Sequence, residues 1–115
     1  MAYIVNGNVI TFENGYSVDF EHPIKETLDV GKVVIITVRP SSGIIYNHNV
    51  FTFSLTGDFL WRIGDVKLYY WGSNNCPYIG AELNDEQELI LFNWCDTAVV
   101  VNHETGEVLR TWQTK

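Results

Sequence analysis

The stretch NVFTFSLTGDFLWRI, residues 49–63, carries the pattern that decides the fold. Apolar and polar residues alternate through VFTFSL, TGD supplies a turn, and FLWRI returns; this is a β-hairpin whose Gly57 takes the positive-φ position. The same elements recur in VVVNHETGEVLRTW, residues 99–112, where a β-rich run, Thr105-Gly106, aliphatic residues and Trp112 follow in the same order. Two such hairpins predict a repeated antiparallel unit rather than an isolated one.

Working outward, the punctuation stays dense and the period short. Asn6-Gly7 between YIV and NVITF is a strong hairpin signal, and Glu13-Asn14-Gly15 then turns into YSVDF. Pro23 precedes IKETLDV, which reads as a strand or one helical turn. KVVIITV, residues 32–38, is apolar on both faces and reads as a central strand covered on both sides. After residue 63 the expected strands are VKLYYW, YIGAEL, ELILF, TAVVV and EVLRTW, separated by the turns Gly64-Asp65, Gly72 to Pro77, Asn84 to Gln87, Asn93 to Asp96 and His103 to Gly106. No segment sustains a 3.6-residue apolar stripe over three turns. The expectation is an all-β, or nearly all-β, antiparallel meander that forms a sandwich or a partly rolled barrel with propeller-blade-like hairpins.

The Thr-Gly turn leading to a Trp resembles the hairpins of quinoprotein-type propellers, in which the Trp packs between neighbouring blades. A closed propeller needs at least four blades of about 40 residues. The 115 residues of this chain exclude one unless several chains assemble it. Asn49-Val50-Phe51, Gly57, Trp61-Arg62-Ile63, Asn93-Trp94 and Thr105-Gly106 also resemble the motifs of a set of small bacterial all-β proteins. That likeness covers roughly the last two thirds of the chain and implies a fold rather than a chemistry. In size and acidity the chain is further similar to immunity proteins of bacterial toxin systems, including contact-dependent growth inhibition, which have many unrelated folds.

Length and composition fit one domain, residues 1–115, with a core of its own: 46% of residues are hydrophobic and 18% charged. MAYIVNGNVI has no positively charged leader, and no apolar run reaches membrane-helix length, so the cytoplasm is the expected compartment and no membrane partner is expected. Cys76 and Cys95 stand without a CxxC or a Cys/His array and read as plain core or edge thiols, with a disulfide or a reactive thiol as the alternatives.

Seven Lys and Arg against fourteen Asp and Glu give a net charge of −7. Neither Lys nor Arg occurs between Lys67 and Arg110, an interval that holds Glu82, Asp85, Glu86, Glu88, Asp96, Glu104 and Glu107. Nucleic acid is therefore not the expected partner, because such binding rests on cations that neutralise phosphates. A basic protein would be steered to this surface. The plainer alternative is that acidic loops keep a β-domain soluble.

Catalytic signatures do not emerge. His22, His48 and His103 lie in expected turns without metal-ligand spacing, no two carboxylates are singled out, and GxSxG, GxGxxG, P-loop and calcium-loop patterns are absent. No enzymatic activity, metal or cofactor is expected. The aromatics say more: a ring beside carboxylates is the composition of a protein interface. Asp65, Tyr70, Trp71, Glu86, Glu88, Trp94 and Asp96 are the candidate contacts for a cognate toxin, basic in character as a nuclease would be, with end-plugging of the sheet as the structural alternative for Trp71 and Trp94. A small β-domain that binds a ligand or peptide, or a self-assembling scaffold, is the second reading.

Overall fold

A computed structural model describes residues 2–69 and 74–114. Within them the chain forms eleven strands and no helix, and every strand pairing is antiparallel. β1 (Tyr3–Asn6), β2 (Val9–Phe12) and β3 (Ser17–Asp19) form a first sheet. β4 (Ile24–Val30), β5 (Val33–Val38), β6 (Val50–Ser54) and β7 (Phe59–Arg62) form a second. β8 (Tyr78–Leu83), β9 (Leu89–Asn93), β10 (Thr97–Val101) and β11 (Val108–Gln113) form a third. Each sheet is a meander in chain order, as the turn chemistry predicts, and IKETLDV resolves as the strand β4. The sheets stack on one another instead of rolling into a barrel.

The middle sheet explains why VVIITV is apolar throughout. Val34, Ile36 and Val38 pack with Ile10, Phe12 and Phe20 of the first sheet, while Val33 and Ile35 pack with Leu89, Leu91, Val99 and Val101 of the third. All six residues of β5 are buried. A buried aliphatic or Phe side chain contributes about 1.5–3 kcal/mol over its exposed state, so these two interfaces carry the apolar stabilisation of the stack. The first strands of the sheets converge. Tyr3 donates its hydroxyl to Asp29 at 2.6 Å, and Glu26 accepts the Ala81 N–H at 2.9 Å.

The Thr-Gly hairpins follow one plan. Gly57 and Gly106 have φ of 94° and 78°, and in each hairpin the register slips three residues past the glycine, at Leu60 and at Leu109. Each glycine lies against aromatic side chains of the preceding sheet, Gly57 on Phe12 and Tyr16 and Gly106 on Trp61. Trp61 thus packs between sheets as its hairpin type implies. Trp112 does not: it is 39% exposed, and the position past the bulge that Trp61 fills in β7 is filled in β11 by Arg110. Arg110 grips Glu88 with two hydrogen bonds of 2.6 Å, beside a small outward cluster of Ile90, Ala98 and Val100. A charged pair at that position ends the stack where an indole continues it, as capping repeats do in stacked arrays.

Two expectations are corrected. VKLYYW does not form a strand over residues 66–69: Val66 packs into the core between the second and third sheets, and the Tyr69 N–H goes to the Thr97 hydroxyl at 3.0 Å instead of to a ladder carbonyl. Residues 66–69 follow the last strand of the second sheet, and no strand among the described residues pairs with them. Cys76 and Cys95 are not separate core thiols but a disulfide, with Cα atoms 5.3 Å apart, joining the lead into β8 to the β9–β10 turn.

Candidate functional site

Antiparallel meanders send alternate turns to opposite ends, and one end gathers six exposed carboxylates on its turns. One end carries the β2–β3, β4–β5, β6–β7, β8–β9 and β10–β11 turns, tied together by Asn14 Nδ2 donating to the Thr56 carbonyl at 2.9 Å, Leu55 N to the Lys32 carbonyl at 3.1 Å and Trp61 Nε1 to the His103 carbonyl at 2.8 Å. Exposed on these turns are Glu13, Asp58, Asp85, Glu86, Glu104 and Glu107, and none of them makes an ion pair among the described residues. Lys32 is the cation of the same turns. Tyr16 and Phe59, 53% and 58% exposed, stand beside Asp58 in a shallow cleft of about 410 Å³.

The candidate contacts divide between the two ends. Glu86 and Glu88 lie at the acidic end, whereas Trp94 and Asp96 lie past the far end of β9, about 17 Å away for five residues of strand. Asp65 is at that far end as well, where it meets His48 Nε2 at 2.9 Å. Tyr70 and Trp71 lie outside the described residues, as does the start of the Gly72 to Pro77 loop. Glu88 is paired with Arg110, which, ahead of Asn84, holds its carboxyl down at about 2. The sequence reading missed Glu13, Tyr16, Asp58 and Phe59. Turn parity pairs the β8–β9 and β10–β11 turns, but only sheet stacking brings the first two sheets' turns beside them.

The opposite end is built by asparagines. Asn49, fully buried, donates to the Val38 and Tyr78 carbonyls at 2.7 and 2.8 Å and accepts the Tyr78 N–H at 2.7 Å. Asn47 and Asn93 hold Cys76 through its N–H at 2.8 Å and its carbonyl at 2.9 Å, and Asn93 also accepts the Cys95 N–H at 2.8 Å. Over this frame lies a cleft of about 440 Å³ lined by Lys25, Arg39, Pro77, Ile79 and Trp94 among others. Burial pushes the Tyr78 phenol beneath it up to about 12, against an opposing hydrogen bond to Asn93, so it is neutral at physiological pH.

Among the described residues, no group of three His, Cys, Asp or Glu side chains is arranged to hold a metal ion, and no helix is long and apolar enough to cross a membrane. No curated protein matches the chain. A family model described as Domain of unknown function (DUF7957) matches residues 1–113, and the chain belongs to that family.

Proposed function

We propose that this protein is a non-enzymatic binding protein that docks its acidic hairpin end on a basic protein, and that it serves as an immunity protein neutralising a cognate bacterial toxin, as in contact-dependent growth inhibition. The observation that carries this reading is the gathering of six carboxylates without an ion pair on the turns of one end, which also bears the exposed rings of Tyr16 and Phe59 beside Asp58. Carboxylates would steer a basic cleft, such as a nuclease presents to its polyanionic substrate, and the rings would supply the desolvated contact. Cytoplasmic residence belongs to this reading, and in that reducing compartment Cys76 and Cys95 would be held as thiols.

The test compares the natural chain with a variant carrying Asp85→Lys, Glu86→Lys, Glu104→Lys and Glu107→Lys. A basic protein captured at low salt by the natural chain, released by salt, and lost with the variant is the expected result. Its toxicity on expression, relieved by co-expressing the natural chain and not the variant, identifies immunity. Equal capture by both forms rules out the acidic end as the docking surface.

A further inference from the structure

We propose that the cleft at the end opposite the acidic turns binds a small organic anion bearing a flat apolar ring. Two of the chain's seven Lys and Arg residues, Lys25 and Arg39, line this one cleft, and no Asp or Glu does. In a molecule of net charge −7 this is the reverse of the surrounding balance. Lys25 donates to the Ile79 carbonyl across the cleft, which positions its ammonium and leaves two of its three hydrogens free. The Arg39 guanidinium has no hydrogen-bond or ion-pair partner among the described residues, so its fork is available for a bidentate grip on a carboxylate or phosphate. Glu26, next to Lys25 in sequence, does not line the cleft, and its carboxylate accepts the Ala81 N–H.

Apart from Asn75, the rest of the lining is made of apolar and aromatic side chains. Trp94 is 65% exposed and Ile79 41%, with Pro40 and Pro77 beside them. An exposed indole in a cleft also lined by prolines offers a stacking surface for a ring, and about 440 Å³ lies within the range of small-molecule sites. The walls are held before any ligand arrives. Trp94 N donates to the Pro77 carbonyl at 2.9 Å, and Asn93 binds both the Cys76 carbonyl and the Cys95 N–H, joining the segments that carry Pro77 and Trp94 whether or not the Cys76–Cys95 bridge is closed. A preformed cleft spares the ligand the cost of ordering it. A long polyanion does not fit this description, because the remainder of the surface would repel it.

The experiment titrates the full chain with benzoate and phenyl phosphate, following the Trp94 indole N–H by NMR, with benzyl alcohol as the uncharged ring and inorganic phosphate as the ringless anion. The expected result is saturable perturbation of Trp94 by at least one ring-bearing anion at millimolar concentration, with both controls weaker. Arg39→Ala should weaken it by about tenfold and Arg39→Lys by less, and Trp94→Ala, followed at the Ile79 backbone amide, should also weaken it. The carboxylate and phosphate arms tell which headgroup the cleft prefers. Arg39 and Trp94 are exposed, and an unchanged amide spectrum of the variants verifies the fold. Equal binding of benzyl alcohol, unchanged affinity in Arg39→Ala, or no perturbation of Trp94 by either anion would each overturn the proposal.

Discussion

Trp61 donates its indole hydrogen to the carbonyl of His103 at 2.8 Å, and in doing so lays its ring against the turn that Gly106 closes. A Cβ on Gly106 would lie 2.7 Å from the indole, closer than side-chain carbons approach anything. The joint between the second and third sheets therefore depends on a glycine for two separate reasons, space and a φ of 78°.

Gly106→Ala should cost more than the left-handed backbone penalty of about 1–2 kcal/mol, because the clash adds to it. Gly43 separates the two effects. Its φ is 81° and nothing lies within 4 Å of its Cβ position, so Gly43→Ala should show the backbone term alone. Urea denaturation of both variants gives the difference. Equal losses would show that the indole yields freely and that the joint is not tightly packed.

Asn49→Ala removes three hydrogen bonds at a fully buried position and leaves the Val38 and Tyr78 carbonyls and the Tyr78 N–H without it. A loss of about 3 kcal/mol or more is expected, since stranded buried groups lose their desolvation energy outright. The second and third sheets are joined here, so the loss should appear in the global transition. A drop under about 1 kcal/mol would mean that water replaces the amide.

Asn49 and Asn93 also show what was legible in the chain. Both sit in motifs, NVF and NW, that read as markers of fold, and both do brace the fold by binding backbone at the lead into β8. Hairpins, the doubly covered β5 and the Thr-Gly turns were legible because alternation and positive-φ residues are local properties. The site was not. Glu88 and Trp94 are six residues apart in sequence, yet the intervening strand sends them to opposite ends. Residues 66–69 have strand composition, yet no strand among the described residues pairs with them, and composition does not report the neighbour. Nor does spacing reveal that Lys25, Arg39 and Trp94 meet, because that depends on how the second and third sheets stack.

The Glu88 carboxyl falls from 4.5 to about 2, first through Arg110 and then through Asn84. A depressed carboxyl contributes stability that is complete above its unfolded value and is lost as pH falls through the folded one. The denaturation midpoint should thus decline as pH drops from 4.5 toward about 2, and Glu88→Gln should flatten that decline. Carboxyl NMR titration of Glu88 checks the value directly. A midpoint near 4.5 for Glu88 would show the Arg110 pair to be open in solution.

The Cys76–Cys95 bridge spans a sequence separation of 19, and closing a loop of that size stabilises by about 3 kcal/mol through the unfolded chain. Removing it as Cys76→Ala with Cys95→Ala should lower stability by roughly that amount, less what the asparagine frame retains. The same bridge tests the compartment, because cytosolic glutathione keeps such pairs reduced. Thiol trapping in intact cells, with alkylation before lysis, should find two free thiols if the protein resides in the cytoplasm, and the reduced chain should keep its β-sheet spectrum because Asn47 and Asn93 still hold Cys76 and Asn93 still holds Cys95. A bridge already formed in the cell would instead place the protein in an oxidising compartment, where a basic partner would have to be met outside the cytoplasm.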